Sequence, residues 1–180
     1  MLVSAAPGYR LVEPFPRVSL EVPAGWQEHR RADDVVYAPP GVDFRSKSLA
    51  HGVRVFVEGG DAANVAPTPP PDAGHTHASQ VGRRLEILMA SYSKANPGLR
   101  AEGPYSVEPG LNRASVSYSN APADDPTSRE TGWIMVARLA TRSSSGAGGR
   151  WLCLVAVMPE AEKARNAEAF TRIRASLRVF

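Results

Sequence analysis

What the chain lacks narrows it first. Cys153 is its only cysteine. No intramolecular disulfide can form, and no Cys-x-x-Cys redox or zinc pair exists. No apolar run reaches about eighteen residues, so no membrane-spanning helix is expected. There is no His-Glu-x-x-His stretch, which removes the zinc-peptidase signature, and no Gly-x-Ser-x-Gly nucleophile elbow. Gly146-Ala147-Gly148-Gly149 lacks the Lys-Ser/Thr that completes a phosphate loop. Basic residues are not clustered either. Arg30-Arg31 and Arg83-Arg84 are the only adjacent basic pairs, and the net charge is +3. Nucleic-acid binding surfaces concentrate charge on one stripe, so nucleic acid is not the expected partner.

What is present is an ordinary globular composition, 43% hydrophobic and 22% charged over 180 residues. That length supports one domain with a core that needs no metal or disulfide. Residues 1–8 read as a linker or the remnant of a leader, and 9–180 as a single domain.

Arg17 to Val22 alternates, with Val18, Leu20 and Val22 on one side, which is the pattern of a half-buried strand. Tyr9 to Val12 is its expected hairpin partner through Pro14-Phe15-Pro16. Short strands follow at Val35 to Ala38 and Val53 to Glu58. The proline run Pro67 to Pro71 is an extended connector. Val81, Leu85, Leu88 and Tyr92 then repeat on one helical face, predicting a helix over 77–95 capped by Thr76 and stopped by Asn96-Pro97-Gly98. Arg83, Arg84 and Lys94 fall outside that row. Ala114, Val116 and Tyr118 alternate with Ser115, Ser117 and Ser119. Trp133 to Leu139, save Arg138, and Trp151 to Met158 throughout are apolar on both sides, as strands covered on two faces are. The short linkers Ala121 to Ser128 and Ser143 to Gly149 favour antiparallel neighbours. A last helix runs from about Pro159 to Ser176, with Ala167, Phe170, Ile173 and Leu177 as its apolar row and Arg172, Arg174 and Arg178 at its C-terminal end. The fold class is α+β: a three-layer α/β/α sandwich whose antiparallel central sheet has about six strands, with helices on both faces.

Chemistry-bearing residues are few. Asp72, His75 and His77 form the one combination with metal-ligand character, a His-x-His pair beside a carboxylate. Its plainer reading is a solvated loop leading into a helix, so no metal site, cofactor or catalytic residue is assigned. His29 and His51 are isolated. Asp33-Asp34 and Asp124-Asp125 sit where carboxylates serve turns. Cys153 lies in an apolar run and reads as a buried small hydrophobe. Trp133 and Trp151 open apolar strands and read as packing residues. Trp26 reads as a plug at one end of the sheet. Phe44, Phe56 and Tyr105 are the candidate contact residues for a partner.

The stretch Val18-Ser19-Leu20-Glu21-Val22-Pro23-Ala24-Gly25-Trp26 resembles the strand-Pro-x-Gly-Trp opening of the PsbP/Mog1-like superfamily. The later strands and the helix ending Ile173-Arg174-Ala175-Ser176-Leu177 resemble it too. Tyr37 to Gly41, His51 to Val53 and Asn96 to Arg100 further resemble the accessory domain that trails the catalytic part of some secreted bacterial HExxH metallopeptidases. The resemblance implies an accessory or protein-interaction domain, outside the cytoplasm, whose partner is another protein or a covalently linked catalytic domain. Two other functions stay open at this level. One is a small-ligand carrier with an enclosed apolar pocket between sheet and helix. The other is an enzyme whose site residues are scattered along the chain.

Overall fold

The structure, a computed structural model, describes residues 5–32, 34–42, 44, 54–60, 77–121, 128–139 and 151–180. β1 (Tyr9–Phe15) and β2 (Val18–Pro23) form the expected antiparallel hairpin. The tight turn falls on Arg17, at φ 68°. Pro14 and Phe15 belong to β1, beyond an irregularity in register after Val12. Pro14 has no N–H for the ladder, which accounts for the slip. β10 (Arg178–Val179) adds to β2 at Ser19 and Val18 and completes a three-stranded sheet, β1-β2-β10.

The central sheet has seven strands rather than about six: the opening hairpin stands apart from it, and two edge strands not expected from the sequence, Gln27–Arg30 and Leu99–Glu108, join it. Its members are β3 (Gln27–Arg30), β4 (Asp34–Ala38), β5 (Arg54–Gly60), β6 (Leu99–Glu108), β7 (Arg113–Asn120), β8 (Glu130–Arg138) and β9 (Trp151–Pro159). They lie in the order β3-β4-β5-β9-β8-β7-β6, every pair antiparallel. The two-sided apolar strands β8 and β9 sit centrally, as their sequences require.

Helix α1 (His77–Ala95) covers one face over β6, β7 and β8. Val81, Leu85, Leu88 and Met89 pack there against Val116, Tyr118, Ile134, Val136 and Trp151. The buried face is wider than the apolar row, because Arg84 is only 1% exposed. Its guanidinium lies 4.0 Å from the centre of the Trp151 ring. This contact lets a charged group enter a core. Asn96 ends the helix, its backbone and side-chain N–H groups both donating to the Tyr92 carbonyl.

The opposite face carries α2 (Lys163–Ser176) and the small sheet. Val18, Leu20 and Val22 of β2 meet Val55, Val57, Met135 and Leu154 of the central sheet. Phe170 packs edge-on to Trp26 and Trp133, at centroid distances of 6.3 and 6.5 Å. Trp26 is therefore part of the core. Arg172 and Arg178 do not crown the helix end as expected. Arg172 reaches back to Glu21 of β2, with Nε 2.5 Å from the carboxylate, and Arg178 lies in β10.

A polar-floored groove beside the second helix

α2 is held by a narrow stripe. Phe170 and Ile173 are buried, as is Leu177 just past its end, whereas Ala167, expected in the apolar row, is exposed. The helix and the small sheet share a core with β4, β5, β8 and β9, and among the described residues none of β6 or β7 joins it on this face. A groove of about 550 Å³ opens there. Its helical wall is Lys163, Ala167, Phe170, Thr171, Arg174 and Ala175, and Glu102 of β6 lies across from it. Its floor is Arg113 and Ser117 of β7, Thr131, Gly132 and Trp133 of β8, and Met158 of β9. The alternation of β7 has its cause here. Ala114, Val116 and Tyr118 join the core under α1, and the serines between them point to the groove face.

Both ends are tied by charge. Lys163 Nζ lies 3.9 Å from Glu102 Oε2, an exposed pair of small energetic weight. At the other end Arg113 holds Glu108 through two bonds, Nε to Oε1 at 3.0 Å and Nη2 to Oε2 at 2.7 Å. The guanidinium keeps the Glu108 carboxyl below its ordinary value, and Arg174 acts in the same direction. Arg113 Nη1 also donates to the Arg174 carbonyl at 3.4 Å. Arg174 itself forms no ion pair among the described residues. Two buried donors on this face lack acceptors among the described residues: Trp133 Nε1, on a residue 6% exposed, and Ser115 Oγ, on a residue 1% exposed.

Most residues singled out in the sequence lie elsewhere. Asp72, His75 and His51 are outside the described residues, and His77 enters only as the first residue of α1. His29 stacks on Phe44 at 5.2 Å, near the β3 edge. Phe44 and Tyr105 are partly buried against the core under α1, not displayed to a partner. Phe56 enters through its backbone in β5. Among the described residues, the large apolar side chains that are exposed are Leu11, Val107, Leu111 and Phe180. Cys153 is fully buried, and desolvation pushes its thiol up. No group of three His, Cys, Asp or Glu residues able to hold a metal occurs among the described residues. The groove also brings no nucleophile together with a base and an orienting group.

A central antiparallel sheet with one helix over each face defines the chain's class as a mixed α+β domain of PsbP/Mog1-like architecture. Among solved structures it is similar to cyanobacterial PsbP (CyanoP) of Synechocystis, with a TM-score of 0.60 and 15% identity over 99% of each chain. It is also similar to LpqN of Mycobacterium tuberculosis, described as involved in cell envelope biogenesis (TM-score 0.58, 15% identity, 95% of this chain and 90% of that one). A third is the Ran-binding protein Mog1p of Saccharomyces cerevisiae (TM-score 0.54, 12% identity, 95% of both). At such identities the likeness is one of fold. None of these three descriptions names a peptidase. No protein-family model and no curated protein matches the chain.

Proposed function

We propose that the chain is a non-catalytic protein-interaction domain that holds a segment of its partner in the groove between α2 and β6–β8. One observation carries this reading. The helix leaves Ala167, Thr171 and Ala175 exposed along a groove that also presents the Ser117 hydroxyl and the Arg174 side chain. Small wall residues leave room for an incoming backbone, and the Ser117 hydroxyl and Arg174 guanidinium offer it donors. The fold supports it by analogy, since Mog1p is described as a Ran-binding protein.

A photo-cross-linking side chain at Thr171 tests the reading, with Gln27 on the far sheet edge as control. In the source cells, Thr171 is expected to give one discrete protein adduct that Ala167→Arg with Ala175→Arg abolishes. Equal labelling from Gln27, or none from Thr171, would reject the groove as the contact site. The small-ligand alternative is less favoured. It calls for an enclosed apolar cavity, and the groove is open with a hydroxyl-bearing floor.

On the residue resemblance alone, we further place the domain outside the cytoplasm and attached to a peptidase. An alkaline phosphatase fusion tests the compartment, and the flanking coding sequence tests the attachment. A fusion inactive in intact cells, or a flanking region with no peptidase, removes the corresponding element.

A further inference from the structure

Side-chain donors are set along the whole length of the groove, between apolar stretches of its wall and floor. Lys163, Thr171 and Arg174 stand in its helical wall, Arg113 and Ser117 in its floor, and Glu102 is its single lining carboxylate, while the Thr131 hydroxyl is already committed to the Tyr118 carbonyl. Its two ends differ in charge. Glu102 balances Lys163 at one end. At the other, the single carboxylate of Glu108 is bonded to Arg113 and also lies in the field of Arg174. Two guanidinium groups there face one carboxylate. A ligand matched to this surface brings acceptors along its length and a negative charge to the Arg174 end. From Lys163 to Arg174 the helix rises about 16 Å, the span of about five extended residues.

We infer that the groove takes an extended acidic segment of a partner protein, with one of its carboxylates on Arg174 and a backbone carbonyl on the Ser117 hydroxyl. This rests on the proposal that the groove is the contact site. An extended segment fits better than a free small acid because the groove is long and open and its donors are spread from one end to the other.

Acetylated hexaglutamate amide is the probe, followed by the assigned indole N–H resonance of Trp133 and the backbone amides of Ser117 and Thr131. These signals are expected to move with hexaglutamate and to stay in place with hexaglutamine. Arg174→Glu is expected to weaken binding by about fivefold or more. Thr171→Trp, at an exposed site, is expected to block the groove without altering its charge. Added salt should weaken binding in parallel. Glutarate binding as tightly as the peptide would overturn the inference in favour of a small-acid site. Equal binding of hexaglutamine, or shifts centred on β3, would overturn it as well. If hexaglutamate leaves the groove signals unmoved while Thr171 still cross-links a partner, the acidic segment is wrong and the contact site stands.

Discussion

Gly132 shows how much one missing atom permits. A Cβ at this position would overlap the Ala156 carbonyl oxygen and lie 3.1 Å from the Tyr118 ring. The bare backbone lets Tyr118 reach across β8, where its hydroxyl donates to that same carbonyl at 3.2 Å. Gly132→Ala must therefore push the ring away or part β8 from β9, both at the centre of the sheet. A loss of about 3 kcal/mol is expected from overpacking together with the broken bond, read as a lower urea midpoint. An unchanged midpoint would mean that the sheet is looser than its packing implies. Cys153 offers a second check at this scale. Its thiol is fully buried, and burial pushes it far from the thiolate form. A disulfide exchange reagent is expected to label it only at the rate of unfolding. Prompt labelling of the native protein would contradict the burial.

At the scale of elements, what the sequence revealed depended on whether an element has to bury something. β8 and β9 are covered on both faces and carry unbroken apolar runs, so they were legible, and so were the hairpin and the two helices. β3 and β6 were not. Gln27-Glu28-His29-Arg30 is exposed throughout and holds its place by pairing with β4 and by Arg30, which donates to the Pro14 and Glu13 carbonyls. β6 exposes most of its residues and breaks register where Gly103, at φ 87°, precedes Pro104. Both are sheet edges, where charge, a bulge and proline deter further pairing and erase the apolar period that reveals a strand. The groove was hidden for a different reason. Glu102, Arg113, Thr131, Lys163 and Arg174 are dispersed over much of the second half of the chain, and only the strand order brings them together. Its one linear trace is the polar Ser115-Ser117-Ser119 alternation on a strand whose other face is core.

For the whole molecule, stability against pH is set by carboxyls pulled in opposite directions. Hydrogen bonding from Arg172 holds Glu21 below its ordinary value, and Arg113 does the same for Glu108. A carboxyl lowered in the folded state contributes stability above its unfolded value of 4.5, and that stability is lost as pH falls through the folded value. Glu130 runs the other way. It is 3% exposed, and desolvation raises its carboxyl despite the Asn120 amide donor and the field of Arg54. Its contribution is full below 4.5 and declines as pH rises through the raised folded value. Asn120 Nδ2 donates to Glu130 Oε2 at 3.4 Å, while Glu130 Oε1 and Asn120 Oδ1 have no partner among the described residues. A proton on the carboxyl supplies the donor these two oxygens lack, and ionisation removes it. Glu130→Gln keeps the shape and provides an N–H at every pH. At pH 8 the variant is expected to exceed the parent by about 1–2 kcal/mol, with the gap closing toward pH 4. The acid limb should persist, since Glu21 and Glu108 are untouched. Melting temperatures of both proteins across this range test the assignment. A constant gap between them, or a variant less stable at pH 8, would show that Glu130 is ionised in the fold and that Arg54, rather than a proton, balances it.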